Sequence, residues 1–333
     1  MMRAVVAING EAEVRQVPEP VVEPNMMLVR TICSAISPGT EIEMKKRAGA
    51  TPVSLGYSAV GTVLQTGKGV THVRPGDRVA CYGAPYVKHA ELLAVPKALA
   101  VPLPDSLSSE EAAFVGLGAI AIHGLRQAGL QFGSKVAVVG LGILGQLTCQ
   151  IAEAAGYRVY ALDLLEERCS MLRRSGLQTV FASYEELEDS LRADYLVEGA
   201  DAVVLCAGGG GAELLNRSLG WLRDRGRIVI VGDMHAELSR ELMFAKEAEL
   251  RIARAGGPGR YDTAYEQDGV DYPVGFVRWT EGRNMYEYIR LLGERKIDVK
   301  PLISKKLPVD RVEEAYEWYL RAPKETLGVL LTY

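Results

Sequence analysis

The chain has 333 residues, 48% of them hydrophobic and 24% charged, with a formal net charge of −4. This is a globular composition, which excludes a disordered or collagen-like chain, and it offers no basic excess to nucleic acid or an anionic membrane. Five Cys (33, 81, 149, 169, 206) and four His (72, 89, 123, 235) are scattered, with no C-x2-C pair. A Cys-rich structural zinc site and a disulfide framework are both excluded by that count, and scattered thiols suit a reducing compartment.

In chain order, the first apolar run, 4–8, is too short for a signal peptide and reads as a strand. No run is long enough to span a membrane, so a cytoplasmic protein is expected. Residues 1 to about 105 read as β-rich, with short apolar runs at 4–8, 26–32, 59–64, 78–81 and 92–95 between Pro and Gly punctuation. Ser108 with Glu111 forms a capping box opening an Ala-rich helix toward Arg126. From 135 onward strands (136–139, 158–162, 179–181, 202–206, 227–231, 250–254) alternate with helices (144–155, 166–174, 185–192, 212–222). That alternation predicts a parallel, doubly wound sheet, giving an α/β protein with a cleft between its halves. Helices near 284–295 and 310–321, the second capped by Asp310 and Glu313, precede a last strand at 327–332.

Gly140-Leu141-Gly142-Ile143-Leu144-Gly145 follows a strand and opens a helix, the context a dinucleotide-binding G-x-G-x-x-G requires. Gly140 permits the tight turn, Gly142 the approach of a pyrophosphate and Gly145 close helix–strand packing. Backbone N–H groups at Ile143 and Leu144 begin the helix that faces the anion. Asp163 ends the next strand, 23 residues on, where a carboxylate accepts ribose hydroxyls and repels a 2′-phosphate. NAD is therefore expected over NADP, with nearby Arg168 pulling the other way. Cys206, Ala207 and Gly208, then Val231 and Gly232, end later strands on the ligand-binding edge. They are either cofactor contacts or ordinary turn residues.

Segment 256–285 has no helical or strand period and mixes Tyr, Phe and Trp with Arg, Asp and Glu. Long irregular loops in compact domains are usually functional. Aromatic faces with Arg and carboxylates suit a polyhydroxylated substrate, with Arg260, Tyr261, Asp262, Arg278, Trp279 and Glu281 as its candidate contacts. An arm for domain packing or dimerisation is the other reading. His123 reads as a packing residue, His72 and His235 as surface, and His89 either faces the cleft or packs.

Gly76-Asp77-Arg78-Val79, Ala90-Glu91, the helix start at 110–113 and the glycine motif together resemble the medium-chain dehydrogenase/reductase superfamily. Ser37–Glu41, Leu55–Ser58, Gly118–Ala121 and 256–285 are similar to the dehydrogenase half of bi-domain oxidoreductases from polysaccharide and natural-product clusters, here as a stand-alone version. The resemblance implies a GroES-like domain (1–117 and 301–333), a Rossmann NAD-binding domain (118–300) and a homodimer or homotetramer. It also implies that Pro38, Tyr57 and a Gly near 116 or 118 occupy the zinc-ligand positions, with Ser58 beside Tyr57 and Cys33 a buried hydrophobe. No metal is expected on that basis. Thr40 matches the hydroxyl that relays the substrate proton, Tyr57 offers a phenol to a developing alkoxide, and Glu41 matches the Asp that orients them. Thr40 as a turn cap, Tyr57 as filler and Glu41 as a structural ion-pair partner are the competing roles.

The expected activity is an NAD(H)-dependent interconversion of a secondary alcohol and a ketone on a sugar, cyclitol or similar small molecule, without zinc. An NADPH-dependent C=C or C=N reductase and a non-catalytic nucleotide sensor are the alternatives.

Overall fold

The computed structural model describes residues 1–193, 198–209 and 211–333. They form two compact units, one of Met1–Ala119, Ala255–Arg295 and Val299–Tyr333, the other of Ile120–Arg254 and Lys296–Asp298.

In the second unit six parallel strands lie in the order Val180–Phe181, Arg158–Leu162, Lys135–Val139, Ala200–Leu205, Leu222–Ile230, Glu249–Ile252. The strand order reverses between Lys135–Val139 and Ala200–Leu205, and a doubly wound sheet binds ligands in the crevice beyond such a switch point. The central strands are apolar on both faces because helices cover both, so Val136, Val138, Val203 and Val204 are fully buried. Helices Ile143–Ala154, Glu166–Arg174, Tyr184–Arg192 and Gly211–Trp221 match the predicted ones. Leu187, Leu191, Leu215 and Trp221 pack on the sheet. The short helix Arg240–Lys246 is an addition, and the fifth strand begins earlier than expected.

The first unit is built on antiparallel strands, apart from Ile303–Pro308 and Gly328–Thr332, which pair in parallel. Met2–Ile8 pairs with Glu11–Val17 and Val53–Ser54. A larger sheet runs Ile303–Pro308, Gly328–Thr332, Met26–Ala35, Ser58–Thr66, Arg78–Tyr82, Ala100–Pro102, with Leu92–Pro96 also on Met26–Ala35. The C-terminal stretch joins by pairing Gly328–Thr332 with Met26–Ala35. Glu11–Val17 and Ile303–Pro308 are polar enough, on exposed positions, that alternation alone did not mark them. Helix Pro38–Arg47, with Pro38 in its first turn and Lys45, Lys46 and Arg47 in its last, is likewise new. Ser108 accepts the N–H groups of Glu110 and Glu111 as predicted, but the helix beyond it breaks into Ser109–Ala112 and Val115–Ala128. The last helix has no side-chain cap: Asp310 instead receives Arg3, and Glu313 receives Lys45 and the Ala12 N–H.

Segment 255–295 groups with the first unit, whereas its position after the sixth strand suggested the nucleotide domain. Named hydrogen bonds are the reason. Arg260 donates to the Ala84 carbonyl, Gln267 Nε2 to Tyr86 at 2.9 Å and Asn25 Nδ2 to the Asp268 carbonyl at 3.0 Å. Among the described residues no helix is long and apolar enough to cross a membrane.

Candidate active site

Two groups of residues carry chemistry, one in each unit. In the second unit Gly140 has φ +89°, a left-handed turn, and a Cβ there would stand 2.6 Å from the Ala207 nitrogen. A Cβ on Gly145 would stand 1.8 Å from the Gly140 carbonyl oxygen, so the helix packs where only glycine fits. Gly142 is the helix N-cap and has open space where its Cβ would be. The loop borders a pocket of about 340 Å³. Gly140, Gly142, Asp163 and Arg168 line one part of it, and Cys206, Ala207 and Gly208 another. Leu164 and Tyr184 also line it, neither singled out by motif. Ile143 is buried and Leu144 half-buried beneath the loop, and Gly232 packs against Ala207, where a Cβ would meet its carbonyl oxygen at 2.3 Å. Val231, Gly232, Ile143, Leu144 and Gly145 are not among the residues that line it.

Asp163 is held by three donors. Its Oδ2 accepts the Leu141 N–H at 2.7 Å and Arg168 Nη1 at 3.3 Å, and its Oδ1 accepts the Leu165 N–H at 2.9 Å. The carboxylate braces the glycine loop at the edge of the pocket.

In the first unit Glu41 is fully buried and satisfied. It accepts the Ser37 N–H at 2.7 Å, Tyr316 Oη at 2.6 Å and His89 Nε2 at 2.8 Å. His89 Nδ1 lies 2.7 Å from Ser34 Oγ, which meets Tyr333 Oη at 3.1 Å. Glu41 and His89 thus knot a helix, a loop and the C-terminal elements together. Tyr57 is half-buried, donates to Ser37 Oγ and stacks edge-on against Tyr82, centroids 5.7 Å apart. Burial pushes its phenol well above the usual range, Ser37 and Thr40 drawing it back and Glu41 adding to the rise. Thr40 is exposed on the helix Pro38–Arg47.

The segment after Arg254 adds Arg260, which is buried, ion-paired with buried Glu266 and covered by the Tyr261 ring at 4.1 Å. Glu281 is fully buried as the first residue of helix Glu281–Gly293. Burial pushes its acid up to about 8, against the pull of the Arg260 cation and with a push from Glu266. Asp262 caps the short helix Thr263–Glu266, accepting the Ala264 N–H at 3.0 Å and the Tyr272 hydroxyl, and is thereby held below the usual carboxylate range. Arg278 is exposed and stacks on Trp279 at 3.8 Å. Of the six predicted substrate contacts, Arg260, Tyr261 and Glu281 come together. Asp262 serves as a cap, and Arg278 and Trp279 form a separate stacked pair.

Residues 23–105 match the alcohol dehydrogenase GroES-like domain family and residues 144–267 the zinc-binding dehydrogenase family. The chain belongs to the medium-chain dehydrogenase/reductase superfamily. It is an NAD(P)-dependent oxidoreductase by that membership. It is 28% identical over 295 residues to a putative D-xylulose reductase of Rhizobium meliloti, covering 80% of this chain and 78% of that protein. It is 27% identical over 311 residues to human sorbitol dehydrogenase, covering 84% and 78%. Among solved structures, alcohol dehydrogenase TADH from Thermus sp. ATN1 superposes with TM-score 0.80 at 26% identity, covering 99% of each chain. The 2R,3R-butanediol dehydrogenase of Bacillus subtilis shares the fold, with TM-score 0.79 at 21% identity and full coverage of both chains.

These relationships correct the expectation of a cofactor set without zinc. The dehydrogenase/reductase family that matches 144–267 is zinc-binding, and an Escherichia coli relative, 27% identical over 289 residues (73% of this chain, 81% of that one), is named a zinc-type alcohol dehydrogenase-like protein. The expectation rested on substitutions at three positions, and the family as a whole does not share it. Among the described residues no three His, Cys, Asp or Glu side chains stand together, and Glu41 and His89, the nearest pair, are consumed by each other, Ser34, Ser37 and Tyr316. Zinc needs three or four ligands, so no step below runs through it.

Sequence reasoning missed Ser37, Tyr82, Tyr265 and Glu266. Tyr82 and Tyr265 sat in apolar runs or among other tyrosines, with nothing in their spacing to mark them. Ser37 was within reach, since it directly precedes a Pro at a helix start. His89, expected either to face the cleft or to pack, is buried and bonded to Glu41 and Ser34, and buried His123 is lowered to about 4 by burial and Arg126, so it stays neutral.

Proposed function

We propose that the protein interconverts a secondary alcohol and a ketone on a small polyol, with NAD(H) as the hydride carrier. The observation that carries the cofactor half is the Gly140–Gly142 pocket with the Asp163 carboxylate on its rim. A fixed negative charge there favours ribose hydroxyls over a 2′-phosphate, while Arg168 beside it tempers the discrimination. The substrate half is supported by the polyol- and sugar-directed names of the relatives.

The nicotinamide, when bound, takes up or supplies the hydride. The chain's own residues manage the proton. Burial raises the Tyr57 acid, so its hydroxyl stays neutral; its one proton, given to Ser37 Oγ in the free protein, turns to the substrate oxygen when substrate binds, and Ser37 then donates to Tyr57 Oη in its place. Ser37 orients that hydroxyl, and exposed Thr40 links it to water. Glu41 is a positioning residue, fixing the Ser37 backbone.

The test is NAD reduction with a panel of polyols and simple secondary alcohols, paired with fluorescence titration of NADH and NADPH. Turnover of polyols with NADH bound ~10-fold tighter than NADPH is expected, and Asp163→Asn narrows that ratio. Cofactor binding with no turnover on the whole panel defeats the reading.

A further inference from the structure

Four carboxylates are buried in and around the two sites, and one differs in kind; Glu266 is paired with Arg260 and accepts the Tyr261 N–H at 2.9 Å. Glu41 and Asp163 accept three donors each. Glu281 has 0% exposure, and neither of its oxygens has a hydrogen-bond partner among the described residues. A buried acid without donors costs several kcal/mol, so its own fold gives no reason for its presence.

Its surroundings belong to one unit. A Cβ on Gly256 would stand 2.7 Å from the Tyr82 ring and 3.1 Å from Glu281 Cβ, so the missing side chain leaves these two side by side. Arg260, the nearest cation, is committed to Glu266 and the Ala84 carbonyl. Tyr82 senses Glu281, Tyr57, Arg260 and Tyr261 electrostatically, and buried Tyr265 senses Glu281 too. Tyr57 lies edge-on to Tyr82 and is half-buried, while Tyr261 lies over Arg260 and is 59% exposed. The cluster therefore leads from solvent, at Tyr261 and Tyr57, inward to the unpartnered acid.

We propose that Glu281 is the substrate-binding carboxyl of this unit, engaging two oxygens on adjacent carbons of a polyol while the Tyr57 and Tyr82 rings face its C–H surface. The proposal rests on the polyol reading above and deepens it by naming the recognition group. Two oxygens on one carbon match a vicinal pair. No hydrogen bond holds the side chain, so turning it toward Tyr57 breaks none. A raised acid also stays protonated at neutral pH. It then offers one donor and one acceptor, which suits an α-hydroxy ketone as well as a diol. The charged and titratable groups facing it are Arg260, Glu266, Tyr82 and Tyr265.

The experiment compares xylitol with 2-butanol in the wild type, Glu281→Leu and Glu281→Gln. Leu keeps the volume and removes both polar atoms, and Gln imitates the protonated acid. Glu281→Leu is expected to raise KM for xylitol ~10-fold or more while 2-butanol KM moves less than ~2-fold. Glu281→Gln is expected to keep xylitol KM near wild type at pH 7 and to abolish its change through pH 8. Equal shifts for both alcohols, or none, overturn the proposal, because a structural role does not distinguish them. Calorimetric titration of xylitol onto the NAD-loaded protein separates the two readings. Binding lost in Glu281→Leu without any turnover preserves the inference and defeats the polyol activity. Turnover with an unchanged xylitol KM does the reverse, and neither binding nor turnover defeats both.

Discussion

Asp163 of the nucleotide unit and Glu281 of the β-rich unit are both buried acids beside a candidate ligand site, and they are held in opposite ways. Asp163 finds its donors close by in the chain, at Leu141, Leu165 and Arg168, in the same strand–turn–helix geometry that builds the pocket. Glu281 is brought among Tyr82, Arg260 and Tyr265 by packing across distant segments and receives no donor among the described residues. A motif supplies both the charge and its satisfaction, whereas a tertiary cluster can leave a polar group open, and an open group is what a ligand completes.

The sharpest way to break this contrast is at the satisfied end. Glu41→Leu strips the acceptor from Ser37, His89 and Tyr316 at once and is expected to cost ~3–5 kcal/mol in denaturant unfolding. A loss under ~1 kcal/mol would remove Glu41 as the knot of the first unit. Gly145→Ala drives a methyl into the Gly140 carbonyl and is expected to weaken NADH at least ~100-fold, about 2.7 kcal/mol, in a fluorescence titration. Unchanged affinity would separate the glycine loop from the cofactor.

Glu281 predicts a pH signature of the opposite sign to a paired carboxylate. Its folded-state acid is raised from 4.5 to about 8. Below pH 4.5 both states are protonated and there is no cost. Between those values the unfolded chain ionises first, so stability falls as pH rises, by up to ~1.4 kcal/mol per pH unit, and the loss is complete above about 8. Glu281→Gln flattens that slope in pH-dependent denaturation, and an identical slope in the variant would assign the effect elsewhere. The smallest effect is Thr280→Ala. It removes the cap that accepts the Arg283 N–H and the Tyr265 hydroxyl, and ~1 kcal/mol is expected from thermal unfolding.

Legibility in the sequence followed the same divide. The glycine motif, Asp163 and the parallel strands were readable because period, turn chemistry and spacing are local. Tyr57, Thr40 and Glu41 were readable only through a resemblance, which placed them without revealing that Glu41 is consumed by His89 and Tyr316. Tyr82 and Glu266 were not readable at all. The scarcity of metal-binding side chains was counted correctly, yet it did not carry the conclusion about zinc drawn from it, since the family to which the chain belongs is a zinc-binding one.

By itself the sequence determined the doubly wound sheet, the dinucleotide loop and the acid on its rim, because each depends on residues within one strand–helix step. The tertiary structure alone decided that 255–295 joins the β-rich unit, that Glu41 is satisfied and that Glu281 is not. The physical reason is that a side chain's polarity is written in its own position, but its partners come from wherever the chain is packed against it.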